Sequence, residues 1–224
     1  MIKETEGNLK EGEIELFPEE GQDMSESPKI EISREGFKGN IKELESILGK
    51  YDISNMVSQL TGLGWKTDSI KLKHTEGSVD WEGNDTVLEN LKYGPYCISS
   101  LSHEMVHLIF RQNDWLESDE ISNFIEKYPE MNEYSEGKDG YPIEQMVAYL
   151  IQDEICKKIG QEEDADILTK TGGHRDFENI LDREYDTEMK RWLGKTIINN
   201  WTDRGRYPNI IKWIESLLKE ANNG

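Results

Sequence analysis

One five-residue run, His103-Glu104-Met105-Val106-His107, constrains this chain more than any other stretch. On a helix, residues four apart project from the same side one turn apart. Both imidazoles can therefore approach a single tetrahedral metal ion through ring nitrogens, with Glu104 between them as candidate general base. The flanking Ile98, Leu101, Met105, Leu108 and Ile109 recur at helical spacing, and Gly94-Pro95 supplies a start signal just before them. His103 and His107 fall on the face away from that stripe. The spacing thus predicts a helix anchored in the core on one side and presenting its ligands to a space that substrate can enter on the other. The plainer alternative is a solvated helix face carrying two ordinary histidines.

A catalytic zinc site takes three protein ligands and leaves a position open, so a third donor is expected downstream. It is not the third histidine of the extended motif, because the places that would hold glycine and histidine hold Phe110 and Asn113. The best candidate is Glu144, in Tyr141-Pro142-Ile143-Glu144-Gln145-Met146-Val147-Ala148-Tyr149-Leu150-Ile151, where Pro142 suits the first turn of a helix. Glu144 lies between Ile151 and Ile155 on the helical wheel, and a carboxylate in an apolar arc is costly to bury unless paired or bound to metal. Its other reading is a first-turn cap. Glu154 projects from the middle of the same arc and is the rival ligand, whereas Asp153 points more toward the polar side. Either Glu144 or Glu154 could instead accept the second ring N–H of a ligating histidine.

With these residues the chain resembles the gluzincin branch of zinc metallopeptidases, in which a HExxH helix is followed by a second helix contributing a glutamate ligand. The resemblance rests on His103, Glu104, His107 and the Glu144-to-Tyr149 segment, about the central quarter of the chain. It implies a zincin-like catalytic domain, bound zinc, and a peptide or protein substrate. Four residues after Glu144 stands Ala148, not the aspartate of thermolysin-like enzymes, so the resemblance does not extend to that subfamily.

The expected fold class is α+β: a small mixed-sheet lobe carrying the HExxH helix, then a mainly helical C-terminal lobe. Residues 1–28 are acidic, carry Pro18 and Pro28 and have little periodicity, which reads as a flexible arm. Residues 29–224 form the single catalytic domain, with an α/β lobe over 29–113 and a helical lobe over 114–224. In the first lobe, Ile30-Glu31-Ile32 suggests a strand, and Ile41, Leu44, Ile47, Leu48 and Tyr51 an amphipathic helix ending near Gly49 to Asp52. Asp68 to His74 alternates like a half-buried strand, and Thr86-Val87-Leu88 suits another. A strand just before the zinc helix could pair its backbone with an extended peptide, although a protected sheet edge is the commoner meaning. The second lobe has helical spacing over Trp115 to Tyr128, Pro142 to about Ile159, Phe177 to Leu181, Met189 to Trp201 and Asn209 to Leu218.

Charge narrows the partners. A net charge of -20 repels phosphate and argues against nonspecific binding to nucleic acid or to an anionic membrane, while attracting zinc and cationic peptides. No apolar segment follows Met1 and no run is long enough to cross a bilayer, so the expected location is the cytoplasm. Oligomeric state is not legible. Cys97 and Cys156 are too few for a disulfide framework and read as buried small residues, with an inhibitory thiol as the other role open to Cys97.

The chemistry such a site supports is attack of water on a metal-polarised carbonyl, with Glu104 accepting the water proton and passing it to the leaving amine. A donor for the tetrahedral oxyanion is also needed, and His174, after Gly172-Gly173, or Tyr149 could supply it. His174 has a solvated loop residue as its plainer reading, and His74 is read as a strand residue without a chemical role. Two other functions share these features: a zinc-dependent hydrolase of a non-peptide substrate, and a noncatalytic acidic interaction protein with a structural metal site.

Overall fold

The computed structural model describes residues 27–32, 41–72, 87–88, 97–115, 118–132, 142–160 and 187–223. It is mainly helical, with a small parallel sheet of strand order β1-β2-β3: β1 Lys29–Ile32, β2 Ser69–Leu72 and the two-residue β3 Val87–Leu88. The expected sheet was mixed, but each of these pairings is parallel, β1 to β2 from Lys29 opposite Ser69 and β2 to β3 from Lys71 opposite Val87. The reason is the connection. Between β1 and β2 the chain builds two helices, α1 (Ile41–Lys50) and α2 (Ile53–Thr61), and a helical crossover returns a strand in the same direction, whereas a tight hairpin would reverse it.

Helix α1 stops where its apolar spacing ends. Asp52 then caps α2 by accepting from the Asn55 N–H at 2.9 Å, and Gly62 closes it in the left-handed conformation, φ 64°, its N–H bonded to the Ser58 carbonyl. Apolar spacing in the sequence does not single out α2, because its Ser, Asn and Thr dilute the stripe. In the structure those polar side chains are satisfied internally: Ser58 Oγ donates to the Leu63 carbonyl and Thr61 Oγ1 to that of Val57.

Two helices form the centre. Helix α3 (Cys97–Gln112) makes its most extensive contact with α5 (Pro142–Lys158), and α2 packs against both. Ile98, Leu101, Met105, Val106, Ile109 and Phe110 of α3 are fully buried, as are Met146, Val147, Ala148, Ile151 and Ile155 of α5. Their polar side chains Ser99, Ser102, His103, His107, Glu144, Gln152 and Glu154 are buried with them, which makes both core helices. Around them lie α4 (Asp119–Lys127), α6 (Glu188–Asn199), a 3-10 turn over Trp201–Arg206, and α7 (Ile210–Asn223), capped or packed through Ser118, Thr187 and the Trp201–Trp213 ring contact. One continuous apolar core runs from Leu44 to Leu218. No described helix is long and apolar enough to cross a membrane.

The expected helices over Pro142 to Ile159, Met189 to Trp201 and Asn209 to Leu218 correspond to α5, α6 and α7, and that over Trp115 to Tyr128 begins later, at Asp119. Ser118 is the cause of the later start, since its side chain accepts from the Ile121 N–H. The acidic arm up to residue 26, His74, and the segment from Phe177 to Leu181 lie outside the described residues.

Candidate metal centre

The two histidines of α3 meet as their spacing requires. Their Nε2 atoms stand 3.1 Å apart and the rings cross edge to face with centroids 4.8 Å apart. Two nitrogens each about 2.0–2.1 Å from a tetrahedral zinc are separated by roughly 3.3 Å, so this spacing is close to one edge of such a coordination sphere. The face that carries them is not open. Helix α5 covers it, leaving His103 9 % and His107 1 % exposed.

Each ring is held from behind by α5. Nδ1 of His107 lies 2.7 Å from Oε1 of Glu144, in the first turn of α5, and both side chains are buried. Nδ1 of His103 lies 3.1 Å from Oε1 of Gln152, whose Nε2 donates to Ser99 Oγ. At His107 the Nδ1 facing a carboxylate oxygen carries a proton, whereas at His103 both ring nitrogens face amide oxygens, Nδ1 that of Gln152 and Nε2 that of Gln145 at 3.0 Å, and these contacts select neither tautomer. The two Nε2 atoms face each other across 3.1 Å, a separation that a shared proton or a cation between them would satisfy. The pair matches a zinc site in two respects, the convergence of its Nε2 atoms and the oxygen that stands behind each Nδ1.

Electrostatics favour a positive charge at the pair, whether a proton or a cation. Burial pulls the pKa of His107 down, but the hydrogen bond and charge of Glu144, together with the charge of Glu104, outweigh it and hold the pKa above the ordinary 6.5, against a small opposing effect of Arg111. Glu104 is thus close enough to the pair for its carboxylate to be felt there.

Helix α5 adds two groups not singled out from the sequence. Gln145 places Oε1 3.0 Å from Nε2 of His103, on the side that faces His107, and Gln152 backs the same ring. With Tyr149, whose ring lies against His103 at 4.5 Å between centroids, they occupy positions 145, 149 and 152, one face of α5 by helical spacing. That polar line in an otherwise apolar helix was the available signal. Ala148, beside it in sequence, is fully buried.

The remaining candidates separate. Glu144 is brought to His107, but at Nδ1, the place of an acceptor that sets the tautomer. Glu154, the rival ligand, is committed elsewhere: Arg204 Nη2 lies 2.8 Å from both of its oxygens and Trp201 Nε1 donates to it. Asp153 pairs with Lys157 one turn on. Among the described residues no group of three or more His, Cys, Asp or Glu side chains is arranged to hold a metal ion. His174 and the side chain of Cys97 lie outside the described residues, and among the described residues Cys156 is buried and in no disulfide. Comparison of the chain with protein-family models, with curated proteins and with solved structures found no match in any of the three.

Proposed function

We propose that this chain is a zinc-dependent hydrolase acting on peptide bonds, with His103 and His107 as its histidine ligands and Glu104 as its general base. The observation that carries this reading is the convergence of the two Nε2 atoms at 3.1 Å, with each Nδ1 turned to an oxygen of α5. A zinc ion held by His103 and His107 would supply Lewis acidity toward a carbonyl and toward water. Glu104 accepts that proton and delivers it to the leaving amine, a task suited to a carboxylate one residue from a ligand on the same helix. Glu144 keeps the imidazole of His107 oriented and basic through Nδ1, and it becomes a ligand itself only by leaving that nitrogen. Gln145 offers an amide oxygen beside the nitrogen pair, where a third donor is needed. Tyr149, against the His103 ring, and His174 are the side chains proposed to donate to the oxyanion. The acidic surface favours cationic stretches of a polypeptide as substrate.

The burial of both histidines and the lack of a three-donor group among the described residues favour one competing reading, a noncatalytic acidic protein in which the pair binds metal only to stabilise the fold. Two measurements on the full chain separate the readings. Zinc content by elemental mass spectrometry should give about one ion per native chain and none for His107→Ala. A peptide-library screen should then find turnover that Glu104→Gln lowers by about 10²- to 10⁴-fold with zinc retained. Zinc without turnover supports the structural reading, turnover only on non-peptide esters or amides changes the substrate class, and a native chain that takes up no zinc ends the proposal.

A further inference from the structure

Glu144 and Gln145 are neighbours on α5 and meet different nitrogens of the histidine pair, and we infer that Gln145 is the third metal ligand, through its amide oxygen, beside Nε2 of His103 and Nε2 of His107. This assignment rests on the metal-site reading above and names the donor which that reading lacks. Three polar atoms follow one another: Nε2 of His107, Nε2 of His103 at 3.1 Å from it, and Oε1 of Gln145 at 3.0 Å from the latter. Donors about 2.0–2.1 Å from one tetrahedral ion stand roughly 3.3 Å apart, so both separations are close to edges of such a sphere.

Helix geometry accounts for the different roles of two adjacent residues. Successive side chains on a helix leave it about 100° apart. With Glu144 placed at Nδ1 of His107, 2.7 Å away, the next side chain departs in another direction and meets Nε2 of His103. The later acids of α5 are committed elsewhere, Glu154 to Arg204 and Asp153 to Lys157. The proton pattern of His103 does not enter, because a bound ion takes Nε2 whichever ring nitrogen held the proton before. Reach is what matters at Gln145 as well. A half-turn about its last side-chain bond exchanges oxygen and nitrogen at the same place, and only the oxygen has lone pairs to give. The neutral ligand also suits its surroundings: the carboxylates of Glu144 and Glu104 are both felt at His107, with a smaller opposing effect of Arg111. Two carboxylates balance a dication, and an amide adds an oxygen donor without adding charge.

The test is zinc affinity of the full chain after chelation, by competition with a chromophoric chelator, with urea unfolding of each variant as the check on folding. Gln145→Leu should weaken zinc about 100-fold or more, beyond the usual effect of losing a group that only supports a ligand. A Gln145 that serves only as hydrogen-bond partner of His103 predicts the other sign, since zinc must displace that contact from Nε2, and its removal would leave affinity unchanged or raised. Gln145→Glu should tighten zinc about 10-fold or more, because affinity rises with ligand charge. It separates ligation from packing, and it carries the test if the leucine variant fails to fold. Native or higher affinity in a folded leucine variant, or no gain in a folded glutamate variant, overturns the assignment while zinc binding by the native chain keeps the metal-site reading. A native chain that takes up no zinc overturns both.

Discussion

Arg204 places one nitrogen, Nη2, 2.8 Å from both oxygens of Glu154, joining the fourth turn of α5 to the 3-10 turn that follows α6. Both side chains are buried, at 5 % and 9 % exposure, and Trp201 adds a hydrogen bond to the carboxylate while its ring lies 4.2 Å below the guanidinium. Glu154 is thus part of the scaffold. Removing it leaves a buried guanidinium without its counter-charge, so Glu154→Ala should lower stability by about 3 kcal/mol. Zinc per folded chain should be unchanged. Urea unfolding and elemental analysis on one preparation check both, and zinc lost from a folded variant would restore Glu154 as a ligand.

Glu144 differs from Glu154 in having a histidine as its partner. If it serves His107 through Nδ1, a glutamine can still accept that hydrogen bond, and Glu144→Gln should keep zinc stoichiometry with affinity weakened about 10- to 100-fold. Complete loss of zinc in a folded glutamine variant would instead mark Glu144 as the third ligand. Isothermal titration of chelated protein distinguishes the two.

The pH dependence of the metal-free protein follows from His107. Its folded pKa is raised above the unfolded 6.5, so the stability it contributes is complete below that value and is lost as pH rises through the folded pKa. Metal-free protein should therefore lose stability from about pH 6.5 up through the higher folded pKa, and His107→Gln should flatten that slope. Zinc must displace the same proton, so its affinity should rise across this interval. Urea midpoints and zinc titrations at several pH values test the two signs together, and a zinc affinity that falls with pH would contradict the assignment.

Gly62 closes α2 against the segment leading into α7. A Cβ added there would lie 2.9 Å from the Pro208 carbonyl oxygen and 3.0 Å from Asn209 Cα, both backbone atoms, at φ +64°. Gly62→Ala should cost about 2 kcal/mol, combining the left-handed penalty with displaced backbone. Gly160, at φ +73° with nothing within 4 Å of such a Cβ, carries only the first effect, and Gly160→Ala should cost about 1 kcal/mol. Equal losses in denaturant unfolding would remove the argument from close approach.

Where the structure agrees with expectation, the signal was local. The start of α5 at Pro142, the end of α1 at Lys50 and the helix through His103 and His107 depend on spacing and end residues within a turn or two. Where it differs, distance along the chain is the cause. The direction of β1 against β2 depends on what is built between them, and the polar face of Gln145, Tyr149 and Gln152 acquires meaning only when α5 turns it toward His103.

By itself the sequence determined that two imidazoles would meet one turn apart with a carboxylate between them, because helix periodicity needs nothing beyond the residues on that helix. Only the tertiary structure decided which ring nitrogen each acceptor takes, and that Glu144 goes to His107 while Glu154 goes to Arg204. Those pairings depend on how α5 is rotated and seated against α3 and on a residue fifty positions further along being folded back beside it, and no local pattern encodes either.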